Sequence, residues 1–200
     1  MMSGVTVPRG PQKAPRVFFW TLGCRLNQHD TAAMRTRVLD AGLAEARDAA
    51  DADVVVVNTC TVTARADQEA RQIIRGLNRG IPSARIIVTG CYAQRSPEEL
   101  RALPGVSAVL GIGERDDREA LLQAVAGSAA APAVAAVAGS AAAPAAPAVA
   151  VGSARSQREF RTEAPVHFGR TRALLKVQDG CDAFCAYCIV PYVRGRSRSL

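Results

Sequence analysis

The sequence predicts an α/β chain: a doubly wound parallel-sheet domain, then an Ala-rich linker, then the start of a second α/β unit. Three observations predict it. Short apolar runs alternate with stretches of helical spacing over residues 16–123, a charge-free Ala/Pro/Gly tract follows, and basic residues then accumulate towards residue 200. Near-continuous apolar strands separated by helices are what a parallel sheet covered on both faces requires.

The elements follow in order. Arg16–Leu22 (RVFFWTL), Asp53–Asn58 (DVVVVN) and Arg85–Thr89 (RIIVT) read as strands, and Ser107–Leu110 as a weaker fourth. Helical spacing marks Thr31–Leu43, Asp67–Asn78, Pro97–Leu103 and Asp116–Val125. Between Glu119 and Arg155 no residue is charged, and VAGSAAAPA occurs twice, at Val125–Ala133 and Val137–Ala145. The prolines remove helix hydrogen bonds that a bilayer could not replace, and two copies of a short repeat bury no core. Residues 124–160 are therefore expected to be a flexible tether, and residues 1–15 a flexible N-terminus. Ala173–Gln178 (ALLKVQ) reads as a strand opening the second unit, residues 161–200.

Composition narrows the function. The net charge is +7, unevenly placed: residues 1–119 hold 16 basic and 14 acidic side chains, and residues 155–200 hold 9 and 4. A basic second segment suits a polyanionic partner or simply a solvated surface. The N-terminus has no apolar core of signal-peptide length, so a cytoplasmic, membrane-free protein is expected. In that reducing compartment the six cysteines point to metal or redox chemistry rather than disulfides.

The cysteines form two trios. Cys24, Cys60 and Cys91 each follow a predicted strand and precede a helix. An open parallel sheet puts all its strand carboxyl ends along one edge, so the three should meet at one crevice, with helix N-termini favouring thiolates there. The alternative is three buried structural cysteines. Asn27, Asn58 and Thr59 lie along the same edge and read as helix caps or turn formers. His29 reads as a helix-surface residue. The second trio is local: Cys181, Cys185 and Cys188 in GCDAFCAYC, spaced C-x3-C-x2-C. Three thiolates on one loop can hold three irons of a cubane and leave the fourth open. A zinc site would need a fourth ligand, and His167, the nearest candidate, has no matching second pair.

The second trio, with Tyr187 before its last cysteine, resembles the signature of radical S-adenosylmethionine enzymes. Together with an upstream domain carrying three cysteines, it is similar to the methylthiotransferase family. TLGCRLNQHDT (Thr21–Thr31), NTCTVTARAD (Asn58–Asp67), VTGCYAQ (Val88–Gln94) and VQDGCDAFCAYCIVPYVRGRSRS (Val177–Ser199) most resemble its branch acting on threonylcarbamoyladenosine in tRNA. The resemblance covers residues 16–119 and 173–199. It implies a methylthiotransferase domain over 16–123 and the beginning of a truncated radical-SAM partial (βα) barrel over 161–200.

It further implies two 4Fe–4S clusters. One, on Cys181, Cys185 and Cys188, binds S-adenosylmethionine and yields a 5′-deoxyadenosyl radical; the other, on Cys24, Cys60 and Cys91, delivers sulfur. The reaction implied is methylthiolation at C2 of N6-threonylcarbamoyladenosine beside the anticodon. Tyr187 would pack on the cofactor adenine, and Arg194, Arg196 and Arg198 would contact tRNA phosphates or the cofactor carboxylate. The partners implied are tRNA and an electron donor such as flavodoxin or ferredoxin, with the enzyme a monomer. A related target (another tRNA adenosine or a ribosomal-protein aspartate) and a non-catalytic iron–sulfur fragment stay open.

Overall fold

The computed structural model describes residues 14–127, 148–161 and 173–199. Six parallel strands form one sheet in the order β2-β1-β3-β4-β5-β6: β1 Arg16–Thr21, β2 Ala44–Glu45, β3 Val54–Thr59, β4 Arg85–Gly90, β5 Val106–Leu110 and β6 Ala148–Ala150. Helices α1 (Arg25–Asp40), α2 (Ala64–Gly80), α3 (Cys91–Arg95), α4 (Pro97–Arg101), α5 (Ile112–Asp116) and α6 (Arg118–Ala126) join them. The predicted doubly wound parallel fold is the observed one.

The central strand shows why. All six residues of β3 (VVVVNT) are buried, because its side chains meet helices on both faces. Val55 and Val57 face Ala70, Ile74 and Leu77 of α2; Val54 and Val56 face Met34 and Val38 of α1 and Leu121 and Val125 of α6. This is the period-two alternation of a strand feeding two separate cores. Each fully buried valine contributes about 1.5–3 kcal/mol relative to exposure. The helix starts are set by caps: the Thr63 hydroxyl accepts from the Ala66 N–H, and the Asp117 carboxylate accepts from the Ala120 N–H.

Three expectations change. Helix α1 starts at Arg25, not Thr31. Its first turns carry few apolar residues to show a helical period, yet Asn27, His29, Asp30 and Thr31 are buried. The expected tether over 124–160 is not all tether. Residues 124–126 complete α6, and Ala148–Ala150 form the edge strand β6, in register with Ala108, Val109 and Leu110 of β5. Backbone pairing holds β6: the Gly111 N–H donates to the Ala150 carbonyl at 2.8 Å. Two alanines around a single valine are too short and too Ala-rich to carry a strand signal, so composition alone suggested a linker. The rest of that tract, 128–147, lies outside the described residues, as do residues 1–13 of the expected N-terminal tail.

The third change concerns the second unit. Residues 173–177 form no strand; the regular structure is a two-stranded antiparallel pair, β7 (Gln178–Asp179) with β8 (Arg198–Ser199), and a short helix α7 (Val190–Val193). Leu175 and Val177 are exposed, so the apolar ALLKVQ run finds no sheet to join among the described residues.

Ile74 is fully buried beneath β3 and β4. Ile74→Ala is expected to lower unfolding stability by about 2–5 kcal/mol, by lost transfer energy and a residual cavity. Urea titration followed by circular dichroism checks this; a loss under about 1 kcal/mol would mean that the α2 face is not the packed core described.

Candidate functional site

The strand order defines where the site can be. The chain runs from β1 outward to β2, then returns across β1 to β3, so the direction of winding reverses between β1 and β3. Beyond the carboxyl ends of such a switch point lies the crevice where open α/β sheets bind ligands. Cys24 lies three residues past β1 and directly before α1, Cys60 follows β3 directly, and Cys91 is the first residue of α3 after β4. The three thus stand at the ends of three adjacent strands.

Local chemistry tightens this edge. Gly23 has φ +87°, and a side chain there would collide with Cys60, its Cβ lying 2.7 Å from Sγ. The β1 turn therefore rests on Cys60 only because residue 23 is glycine. The Asn27 side-chain NH2 donates to the carbonyls of Leu22 (2.9 Å) and Thr59 (3.0 Å), joining the ends of β1 and β3. The Asn58 NH2 donates to the Asn27 carbonyl (2.9 Å) and the Thr31 hydroxyl (3.0 Å), while the Thr59 hydroxyl donates to the Thr89 carbonyl (2.6 Å). These three residues are neither helix caps nor turn formers. They are buried cross-links between strand ends, where each hydrogen bond made offsets part of the desolvation of the groups that make it.

The second trio sits on a loop opposite this edge. β7 and β8 close its flanks, the Cys181 N–H donates to the Gly195 carbonyl (3.1 Å), and the Cys188 N–H donates to the Cys185 carbonyl (2.9 Å). Phe184 has φ +47°, an uncommon conformation for an aromatic residue that turns the chain between the first two cysteines. Beyond the loop, Ile189 and Val193 pack against Cys91 and Ile112, bringing the second segment onto the first domain.

A buried charge cluster accompanies that apolar contact. Asp30 of α1 meets Arg194 (2.8 Å), Arg115 (3.1 Å) and Lys176 (3.6 Å). Asp179 of β7 meets Lys176 (2.7 Å), Arg194 (3.0 Å) and Arg198 (3.7 Å). Burial pushes the Asp30 carboxyl up, but Arg115 and Arg194 outweigh it and hold it well below the ordinary aspartate range. For Asp179 the same contest between burial and Arg194 and Lys176 also ends below that range. Burial raises the Cys91 thiol, with the Arg194 guanidinium beside it pulling the other way. A polar cavity of about 300 Å³, lined by Asp116, Gln157, Arg158, Lys176 and Arg198 among others, lies next to the charges but is lined by no cysteine.

Several expected site residues take other places. Arg194 is only 2% exposed and is held by the carboxylates of Asp30 and Asp179 and the side-chain oxygen of Asn27, so it does not present the exposed guanidinium that a contact with tRNA phosphate needs. His29 is buried beside Asp30, not on the helix surface, because the polar start of α1 faces the crevice. Arg198 is buried against Asp179. Arg196 is exposed and pairs with Asp182 at 3.4 Å, and Tyr187 is 93% exposed on the second loop. His167 lies outside the described residues. The charge cluster itself was not anticipated. Its signal was present in LNQHDT, where Asn27, Asp30 and Thr31 continue the buried stripe of Met34 and Val38 at helical spacing but with polar side chains.

All six cysteines are free thiols. Among the described residues no three His, Cys, Asp or Glu side chains close on one point as a single metal ion needs. A cubane asks less of its ligands, because each thiolate binds a different iron. Three thiols at adjacent strand ends and three on one loop therefore fit that donor chemistry in kind. No helix among the described residues is long and apolar enough to cross a membrane.

Fold and site together define a doubly wound domain with three cysteines at adjacent strand ends and a second cysteine loop whose following residues, Ile189 and Val193, pack on Cys91. Residues 16–111 match the family described as "Uncharacterized protein family UPF0004". The chain is similar to the threonylcarbamoyladenosine tRNA methylthiotransferases MtaB of Bacillus subtilis (39% identity over 183 residues, 92% of this chain, 37% of the relative) and Aquifex aeolicus (35% over 186 residues, 92% and 42%). It is also similar to the ribosomal protein uS12 methylthiotransferase RimO of a Synechococcus strain (35% over 201 residues, 100% and 39%). The chain spans about two-fifths of the length of these relatives.

The depressed Asp30 and Asp179 carboxyls carry a pH dependence. A folded-state value below the unfolded one contributes stability that is complete above the unfolded value, about pH 4, and lost as pH falls through the folded value. Urea midpoints measured stepwise from pH 6 to pH 2.5 should therefore hold and then fall steeply. Asp30→Asn is expected to flatten that fall; an unchanged acid slope in this variant would reject the role given to Asp30.

Proposed function

We propose that this chain belongs to an enzyme that methylthiolates C2 of N6-threonylcarbamoyladenosine beside the anticodon of tRNA, using two 4Fe–4S clusters. The observation that carries this reading is the seating of the second cysteine loop against the strand-end crevice of the first trio, through Val193 and Ile189 on Cys91. Methylthiolation of an aromatic carbon joins two difficult tasks, activation of a C–H bond and delivery of sulfur, which one polypeptide serves best by holding two cofactors close together.

Cys181, Cys185 and Cys188 would hold the cluster that binds S-adenosylmethionine, and Cys24, Cys60 and Cys91 the cluster that supplies sulfur. When bound, these groups supply reductive cleavage of S-adenosylmethionine and a sulfur atom for transfer. The chain's own residues orient and shield them. Asn27 and Asn58 fix the strand ends that carry Cys24 and Cys60, burial keeps water from Cys60 and Cys91, and Arg194 sets a positive charge beside Cys91. Tyr187, exposed on the second loop, is available to the cofactor adenine, and Arg196 to a phosphate or carboxylate. tRNA and a flavodoxin or ferredoxin donor are the partners, and the cytoplasm the compartment.

Similarity to the uS12 methylthiotransferases favours a second reading, with a ribosomal-protein aspartate as the target. Two measurements test these proposals. Iron and acid-labile sulfide should total about eight each per chain after anaerobic reconstitution, falling to about four when either trio is replaced by alanine. No iron above background would sink the cluster reading. Nucleoside mass spectrometry of tRNA from a strain lacking the gene should show loss of the 2-methylthio group from threonylcarbamoyladenosine alone. Unchanged tRNA with unmodified uS12 would transfer the assignment to the second reading.

A further inference from the structure

Arg194 stands one residue past α7 and six past Cys188, yet its guanidinium lies inside the first domain. Nη1 donates to Asp179 Oδ1 (3.0 Å), and Nη2 to Asp30 Oδ2 (2.8 Å) and Asn27 Oδ1 (2.7 Å). Asp179 lies two residues before Cys181, and Asn27 three after Cys24. The Asn27 amide nitrogen is already committed to the carbonyls of Leu22 and Thr59, the latter next to Cys60, so its oxygen is aimed rather than free to rotate. One planar group therefore touches the flanks of both trios. Three acceptors around two guanidinium nitrogens is a geometry that a lysine ammonium, a point charge on a flexible stem, does not reproduce. Lys176 also reaches both carboxylates, but at 3.6 Å from Asp30.

The adjoining backbone agrees. Gly195, with φ +77°, lies so close to the Ala154 carbonyl that a side chain there would collide with it, and its own carbonyl accepts from the Cys181 N–H. Val193, the residue before Arg194, packs on Cys91. The segment is thus held by a charge anchor set between an apolar contact and a backbone approach.

We propose that Arg194 is the positioning residue that seats the Cys181–Cys188 loop on the Cys24/Cys60/Cys91 crevice, through its joint grip on Asn27, Asp30 and Asp179. It rests on the reading of the two trios as one site, but the seating can be measured without iron, so the two ideas fail separately. Loss of iron binding with seating intact counts against the proposed function only.

The test is hydrogen exchange by mass spectrometry on the 200-residue chain, with Arg194→Ala, Arg194→Lys and Lys176→Met. In Arg194→Ala the amides of Cys181 and Val193, which donate to Gly195 and Ile189, should exchange at least about tenfold faster, while those of Ile87 and Val88 in β4 stay protected. Arg194→Lys should recover only part of the protection, and Lys176→Met should lose less than Arg194→Ala.

Alkylation gives an independent readout. Unseating should expose Cys91, now 5% exposed, and raise its iodoacetamide rate at least about tenfold while Cys60 stays slow. Should Arg194→Ala fail to fold, Asp30→Asn carries the same two measurements with a side chain of equal size. Unchanged exchange at Cys181 and Val193, equal loss of protection in β4, or a lysine variant indistinguishable from wild type would each overturn the proposal.

Discussion

Asp30 carries a negative charge into a volume that water hardly reaches, and much of the site is arranged around it. An isolated buried carboxylate would take up a proton before it stayed charged there. It remains ionised because Arg115 comes from α5 and Arg194 and Lys176 come from the second segment. Two of those three cations lie more than 140 residues away in sequence. The first domain therefore holds an anion whose full compensation requires the cysteine loop's own flank to be in place. Asp179 repeats the logic from the other side, so neither segment buries its charges well without the other.

Compared with apolar side chains of similar volume, such clusters contribute little net stability, because the desolvation of each ion offsets most of its Coulomb attraction. What they set is position: an apolar contact tolerates sliding, whereas a guanidinium bound to three oxygens does not. The contact of Ile189 and Val193 with Cys91 and Ile112 supplies the area, and the charges determine where that area lands. The two parts of the interface thus do separate work.

The sheet and the first trio were legible because each rests on local sequence. Three short apolar runs, each followed within one to three residues by cysteine, need only the rule that parallel strands end on one side. β6 was not legible, since a three-residue edge strand of two alanines and one valine shows too little side-chain pattern to stand out in an Ala-rich tract. The start of α1 was hidden for a different reason. Residues 27, 30, 34 and 38 follow one helical stripe, but its first half is Asn and Asp, so a search for apolar periodicity begins too late. Arg194 looked like a surface arginine in a basic loop because its partners, Asn27 and Asp30, are 167 and 164 positions distant.

That last misreading bears on how basic motifs near metal-binding cysteines should be weighed. Arg194, Arg196 and Arg198 are spaced two apart in one short segment, and only Arg196 is exposed. The segment leaves α7 at Arg194, which keeps helical backbone angles, turns at Gly195 (φ +77°) and enters β8 only at Arg198. Arg194 and Arg198 go to the side that holds Asp179, and Arg196 to solvent and Asp182. Net charge counts the three alike, whereas the turn at Gly195 divides them into two that are buried against Asp179 and one that is exposed beside Asp182. The +5 excess of residues 155–200, from which Asp179 is already subtracted, therefore overstates the charge the segment can offer to nucleic acid, since Asp30 of the first domain neutralises part of it.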